Sequence, residues 1–230
     1  MTNDGALQIK AARVAGAMYV FTIILGILYM SFIDTRLVVP GDATMTANNI
    51  LANELLFRIG VAGDLILFAC VVVLSLGLYL VLREVHRGLA LLALLWRLTE
   101  AIIGVVAVLV ASTALMFLSG DLAAFEQDQL HTMVGLSLNL RAVGVNIAIL
   151  FCSLGSIVYF SLFLKSRYVH KLWSMWGLVA YTLLLIYSFA VMIVPDHAEN
   201  VILQVVCYLP GALFELIFGL RLLFRGVNVE

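Results

Sequence analysis

Charged residues are scarce in this sequence of 230 residues. Lys, Arg, Asp and Glu together make up 12% of the chain, against 64% hydrophobic residues, whereas a soluble domain carries about 25% charged residues. This shortage excludes a soluble globular enzyme and a disordered chain, because neither could keep a water-facing surface with so few charges. What is left is an integral membrane protein with almost no domain outside the bilayer.

Cysteine, histidine and catalytic motifs are also sparse. The three cysteines, Cys70, Cys152 and Cys207, form neither a disulfide scaffold nor a C-x-x-C metal motif, so we interpret them as reduced packing residues. The sequence contains no H-E-x-x-H, G-x-S-x-G or P-loop pattern, and none of the four histidines lies inside a long apolar run. We therefore predict no metal site and no cofactor, we identify no catalytic residue, and no basic patch is large enough for nucleic acid.

Six apolar runs are each long enough to cross a bilayer, which takes about 20 residues as a helix. They show no strand pattern and are rich in Leu, Ala, Val and Gly, as bundled membrane helices are. The sequence therefore predicts an all-α polytopic membrane bundle of six transmembrane helices, forming one domain over residues 1–230. The predicted spans are about 14–33, 59–82, 89–118, 136–164, 172–194 and 201–224.

Basic residues near the span ends are distributed unequally, and such residues favour the cytoplasmic side. One side of the membrane would hold Arg36 as its only basic residue, together with the acidic residues Asp34, Asp42, Asp121, Glu126, Asp128, Asp196 and Glu199. The other side would hold Lys10, Arg13, Arg83, Arg87, Lys165, Arg167, Lys171 and Arg225. We expect a multi-pass protein of the cytoplasmic (inner) membrane, with both termini in the cytoplasm.

Two outer loops have some length. In the first, Pro40-Gly41 is a turn signal, Asp42 or Thr44 can cap a helix, and residues 46–57 are predicted as a helix that runs straight into the second span. The second outer loop, residues 119–133, is acidic and contains His131.

Six ionisable residues fall inside or just within the predicted spans. Because charges in hydrocarbon are expensive, they are expected to face the bundle interior or a cavity. Their depths, at about 1.5 Å per residue, predict two layers. The outer layer would hold Arg58, Asp64 and Arg141 with Asn139 and His131; the inner layer would hold Arg97, Glu100 and Glu215; Asn146 would lie between them.

Two interpretations of these layers stay open. The pairs could only hold helices in register, since buried ion pairs are no proof of function. For Arg97 and Glu100 the two interpretations are balanced, because a pair within one helix can be self-contained. For Asp64 and Glu215 we favour a functional site, because carboxylates inside membranes are often proton or substrate sites.

Three segments resemble one bacterial family. Residues 40–65, PGDATMTANNILANELLFRIGVAGDL, resemble a signature of domain-of-unknown-function family 4386, and so do the later LLALLWRLTEA and PGALFELIFGLRLLFRG. The matching residues of the first segment include Pro40, Gly41, Asp42, Arg58 and Asp64. The resemblance covers most of the chain and implies a bacterial six-span membrane protein, without an established activity.

Three functions are compatible with this sequence. The first is binding or transport of a small or lipid-like ligand, with Arg58, Arg97 and Arg141 contacting anionic groups and the carboxylates handling charge or protons. The alternatives are an intramembrane enzyme acting on a lipid or isoprenoid, and a non-catalytic accessory or sensor subunit. Expected partners are membrane lipids, a small anionic or lipid-like ligand, and a second copy of the chain, because six spans enclose little cavity.

Overall fold

The computed structural model describes residues 3–119 and 125–228, and within them the protein is all-helical, as the composition predicts. Asp121 of the second outer loop lies outside the described residues. A π-helix (Tyr29–Asp34) connects α1 to α2, and a 3-10 helix (Pro195–Glu199) connects α6 to α7. The α-helices are α1 (Asn3–Leu28), α2 (Thr35–Leu37), α3 (Ala43–Ala52), α4 (Glu54–Leu118), α5 (Gln127–Ser166), α6 (Lys171–Ile193) and α7 (Val201–Arg225).

Helix α4 is a hairpin of two arms. Its 65 residues would extend roughly 98 Å if straight, about three times the hydrocarbon thickness of a bilayer. His86 has non-helical backbone angles (φ −163°, ψ 96°), and Arg97 Nε donates to Ser75 Oγ at 3.3 Å although the two residues are 22 positions apart. The chain therefore reverses at His86, and the first arm (54–85) and second arm (87–118) run antiparallel.

The predicted spans agree with this arrangement in part. Five helices among the described residues are long and apolar enough to cross a membrane. The predicted spans 59–82 and 89–118 fall one in each arm of α4, which is the longest of the five. The count of six crossings and their direction stay predictions.

The reversal in α4 is stabilised by the side chain of His86 itself. Its Nδ1 accepts a hydrogen bond from the backbone N–H of Leu89 at 3.1 Å, at the start of the second arm. His170 plays the same role before α6, where its Nδ1 accepts from Leu172 N at 3.4 Å. These two loop histidines therefore satisfy backbone donors that a helix start leaves without partners.

In the segment before α4, the predicted helix cap is present, but the predicted helix does not continue unbroken into the second span. Asp42 Oδ1 accepts from Met45 N at 2.8 Å, which confirms Asp42 as the cap of α3, and Gly41 takes a positive φ of 78° in the turn before it. The prediction of one helix continuing into the second span is wrong at Asn53 (φ −132°, ψ 42°), where α3 ends. Asn53 Nδ2 donates to Asn49 O at 3.0 Å, and this bond competes with the regular helix pattern.

Residue contacts divide the chain into two compact units, while the single domain over residues 1–230 stays a prediction. Unit 1 comprises Met1–Ile23, Ala69–Ala101 and Ile147–Glu230. An aromatic cluster fills its core: the ring of Phe160 lies 4.9 Å from that of Phe214, 5.2 Å from that of Phe218 and 5.7 Å from that of Tyr181. Such edge-on and stacked pairs add to the burial of apolar area and hold α5, α6 and α7 together.

Unit 2 comprises Ile24–Phe68 and Ile102–Asn146. Its buried core contains Leu37, Ala47, Ile50, Phe57, Ala114 and Val134. The hydroxyls of Thr113 and Ser137 lie 3.0 Å apart and connect the second arm of α4 to α5. A polar contact of this kind is a common link between helices that lack water to bind.

Candidate functional site

Arg97 and Glu100 form a buried ion pair in unit 1. Nη1 of Arg97 lies 2.8 Å from Oε2 of Glu100, one helical turn further along the second arm. The two residues are 4% and 7% exposed. The pair predicted from the i,i+3 spacing therefore exists, and it lies inside the packed helices.

The guanidinium of Arg97 also connects three helical segments. Its Nε donates to Ser75 Oγ in the first arm at 3.3 Å, and its Nη1 donates to Cys152 Sγ in α5. Ser75 is held in turn by Tyr159, whose hydroxyl donates to the Ser75 carbonyl at 2.9 Å. Cys152, which the sequence indicated only as a packing residue, is therefore part of the polar network.

A glycine makes room for this arrangement. A Cβ at Gly155 would lie 2.8 Å from Cγ of Arg97 and 3.0 Å from the carbonyl oxygen of Ala93. Only a residue without a side chain lets α5 come this close to the second arm. The close approach places Cys152, three residues earlier on α5, against the guanidinium.

Glu215 joins the network through a tyrosine. The hydroxyl of Tyr181 in α6 donates to Glu215 Oε1 in α7 at 2.6 Å. Electrostatic interactions connect Glu215 with both Arg97 and Glu100. The structure thus brings the three residues of the predicted inner layer together, with Glu215 at the side of the ion pair.

The network holds one cation and two carboxyl groups. Arg97 is in contact with Glu100, whereas Glu215 forms no ion pair within the described residues. Oε2 of Glu100 accepts no well-aligned hydrogen bond in spite of its short distance to Arg97. A buried charge without a partner is costly, so the arrangement can take up a proton or a cationic group.

A further ion pair lies in unit 2, between Arg141 and Asp64, and it consists of one cation and one anion. Nη2 of Arg141 in α5 donates to Oδ2 of Asp64 in the first arm at 2.6 Å, and the two side chains are 19% and 12% exposed. The guanidinium also lies over the ring of Tyr29, 4.7 Å from its centroid. Tyr29 belongs to the π-helix, a rare conformation that is frequent at functional sites.

The other predicted members of the outer layer lie elsewhere. Arg58 forms an exposed ion pair with Glu54, one turn earlier, with Nη2 and Oε1 2.6 Å apart. Asn139 is exposed, because two residues turn a helix by about 200° and Arg141 occupies the inward face. Neither Arg58 nor Asn139 joins the contact between Asp64 and Arg141, so the structure does not bring the predicted outer layer together as one group.

His131 and Asn146 are placed differently from each other. His131 is 5% exposed and its Nδ1 has no hydrogen-bond partner among the described residues. It precedes Arg141 by ten residues on α5, about 15 Å along the axis, so it does not reach the ion pair. Asn146 is half-buried at the end of the α5 segment of unit 2.

Five neutral residues of the two networks escaped sequence analysis: Tyr29, Ser75, Cys152, Tyr159 and Tyr181. Each lies in an apolar run and carries no charge that would mark it. The seven-residue spacing of Cys152 and Tyr159, which puts both on one face of α5, is the signal that could have found two of them. Among the described residues, no group of three or more His, Cys, Asp or Glu side chains could hold a metal ion.

Comparison with known proteins gives one match. Residues 14–226 match the family model described as Domain of unknown function (DUF4386). No curated protein and no solved structure matches the chain. Since the match covers almost the whole sequence, including the Pro40–Asp64 segment and both ion pairs, the chain belongs to the DUF4386 family.

Proposed function

We propose that this chain is an integral membrane protein that binds an exchangeable proton at Glu215, and that further proton uptake by the same network, at Glu100, is coupled to the binding or transport of a small or lipid-like ligand. The observation that carries the proposal is the composition of the network in unit 1. The network has a single guanidinium, Arg97, which is paired with Glu100, and a second carboxyl group, Glu215, within its electrostatic influence. All three residues lie in helices long and apolar enough to cross a membrane.

The charge balance assigns the proton to Glu215. Glu100 has its counter-charge at 2.8 Å, whereas the described partner of Glu215 is the neutral hydroxyl of Tyr181. With a proton on Glu215 the network is neutral, and without it one negative charge stays in the protein interior. Since an uncompensated buried charge costs several kcal/mol, the neutral form is the stable one.

Unit 2 provides an internal comparison. A pair that only holds helices in register needs one cation and one anion, and Asp64 with Arg141 meets that requirement. The network in unit 1 contains a third ionisable residue, Glu215, which an ion pair between helices does not need. The presence of Glu215 favours a site whose charge changes during function over a pair that only holds helices in register.

The same charge balance would couple an anionic ligand to a second proton, on Glu100. An anionic group that binds Arg97 takes the place of Glu100, and the released Glu100 carboxylate then takes up a proton to stay neutral. Ligand and proton would therefore bind together, which is the basis of proton-coupled transport.

The arrangement in the membrane is part of the proposal. The two arms of α4 bring the number of membrane-long segments to six, and an even number of crossings places both termini on one side. The eight basic residues near the span ends, against Arg36 alone, favour the cytoplasm for that side. The protein would then lie in the cytoplasmic membrane of a bacterium.

The pH dependence of stability tests the proton. An unfolded glutamate is ionised above about pH 4.3, so a folded state that keeps the proton on Glu215 binds one proton more. The free energy of unfolding then falls as the pH rises, by up to about 1.4 kcal/mol per pH unit, and Glu215→Gln removes this slope. This pH dependence can be measured from the melting midpoints of the purified protein in micelles between about pH 5 and 8.

The matched control is Glu84→Gln, because Glu84 lies in the polar turn of α4 with 54% of its side chain exposed. This variant should keep the wild-type slope. Equal slopes in wild type and Glu215→Gln would overturn the proposal.

A further inference from the structure

A groove of about 700 Å³ lies between the two arms of α4 within unit 2. From the first arm it is lined by the face that begins at Arg58 and ends at Leu65, and from the second arm by the face between Ser112 and Ser119. On both arms the lining includes positions i, i+3, i+4 and i+7, the spacing of one helix face, and Phe117 is one further lining residue on the second arm. The two faces therefore stand opposite each other across the groove.

Beyond the lining residues, the two arms of α4 pack closely against each other. The ring of Phe68, one turn beyond Leu65, occupies the place that a side chain at position 104 would fill, and Gly104 has none. The two arms are in contact there.

Polarity changes along the groove. Arg58 lies in the first turns of α4, and Ser119 directly follows its last residue, so both lie at the end of the groove nearest the termini of α4, which we call its mouth. The hydroxyls of Ser112 and Ser119 donate to the carbonyls of Leu109 and Met116 within their own helix. The deeper part is therefore apolar, and Arg58 is the cationic group at the mouth.

Arg58 has donors available for a ligand. Its Nε and Nη2 contact a single oxygen, Oε1 of Glu54, at 2.8 and 2.6 Å. A guanidinium has five N–H donors in a planar fork, and 61% of this side chain is exposed. The remaining donors can bind a phosphate, whose geometry matches the fork.

From these observations we infer that the groove binds a phospholipid, with one acyl chain between the arms and its phosphate at Arg58. The volume lies in the usual range of about 300 to 1,000 Å³ for small-molecule sites. The exposed apolar side chains of Leu65 (43%) and Met116 (66%) need an apolar occupant, and the cation at the mouth needs an anionic one. A bilayer supplies both in one molecule.

This site rests on the proposed function only for its setting in a membrane, since it shares no residue with the network around Glu215. Either proposal can therefore fail without the other. Proton binding is measured through Glu215→Gln, and lipid binding through residues of the groove.

The test is lipid retention by the purified full-length protein. Native mass spectrometry in micelles doped with phosphatidylglycerol should find one strongly held lipid per chain. Arg58→Gln removes hydrogen bonds from a charged donor, worth about 1.5–3 kcal/mol, so the affinity should fall roughly 10- to 100-fold. Ala62→Phe, which fills the groove from the first arm, should abolish retention.

Two controls match these variants. Arg36→Gln removes an exposed arginine of unit 2 outside the groove, and Ala212→Phe enlarges an exposed alanine of α7; both should retain the lipid. Unchanged retention in Arg58→Gln would show an apolar occupant without phosphate recognition and overturn the inference. Absence of a retained lipid in the wild type, or equal loss in the controls, would overturn it as well.

Discussion

Tyr181 and Glu215 face each other across α6 and α7 with 2.6 Å between the phenolic oxygen and Oε1. The contact supplies a neutral donor to the one carboxyl group of the unit 1 network that has no cation in contact. Because a hydroxyl both donates and accepts, Tyr181 can stay bonded to Glu215 with or without a proton on the carboxyl group. The tyrosine thus allows the charge of Glu215 to change without loss of the helix contact.

Removal of this hydroxyl should have a moderate effect. Tyr181→Phe leaves the stacking on Phe160 in place and removes one hydrogen bond to a protonated carboxyl group, which predicts a loss of about 0.5–1.5 kcal/mol in the free energy of unfolding. Unfolding in mixed micelles with increasing denaturing detergent measures it. In Glu215→Gln, where the proton is gone, Tyr181→Phe should no longer change any pH dependence; a remaining pH-dependent effect would contradict the assignment.

The ion pair between Arg97 and Glu100 should be strongly coupled. Arg97→Gln leaves the Glu100 carboxylate without its counter-charge, which predicts a loss of about 3–5 kcal/mol, while adding Glu100→Gln should make the double variant lose much less than the sum of the single losses. The exposed pair of Arg83 and Glu84 is the control, and its single variants should change stability by less than about 1 kcal/mol. Additive losses at Arg97 and Glu100 would show that the two charges do not compensate each other.

Two glycines of the membrane helices should respond in opposite directions to the same substitution. Gly155→Ala forces a methyl group against Arg97 and Ala93, so it should destabilise the protein by about 1–3 kcal/mol. Gly63→Ala meets no atom within 4 Å and should be neutral or stabilising by up to about 1 kcal/mol, because alanine is the better helix former. Thermal melting of both variants compares them directly. A tolerated Gly155→Ala would contradict the close approach of α5 to Arg97.

The ring of Tyr29, rather than its hydroxyl, should matter for the pair in unit 2. Tyr29→Phe keeps the face under the Arg141 guanidinium and should be close to wild type. Tyr29→Leu loses the cation–π contact, worth about 0.5–2 kcal/mol. Repeating both substitutions in Arg141→Gln should remove the difference between them, and a difference that persists would mean that Tyr29 acts through packing alone.

The helices and the grouping of the inner charges follow from the sequence more readily than the other side-chain contacts do. Long apolar runs have few alternatives in a bilayer, so the all-helical fold and the grouping of Arg97, Glu100 and Glu215 were predictable. Depth does not determine which face a residue occupies, which is why Asn139 does not join the contact between Asp64 and Arg141. Arg58 forms an ion pair with Glu54, four residues earlier. This i,i+4 spacing is visible in the sequence, so the pair could have been predicted.

The neutral members of the networks could not be predicted in the same way. Ser75, Cys152, Tyr159 and Tyr181 resemble ordinary residues of apolar helices, and their role depends on helix crossings that one sequence does not specify. The reversal of α4 at His86 brings Ser75 to Arg97, and the missing side chain at Gly155 brings Cys152 there. Both follow from packing between segments distant in the chain.

Infrared spectroscopy of the purified protein at neutral pH tests the central claim most directly. A protonated carboxyl group has a C=O stretch that is separate from the bands of carboxylates and amides and shifts when H₂O is replaced by D₂O. We expect this band in the wild type and in Glu84→Gln, and we expect its loss in Glu215→Gln. A wild-type spectrum without the band, or a band that is unchanged in Glu215→Gln, would contradict the assignment of an exchangeable proton to Glu215.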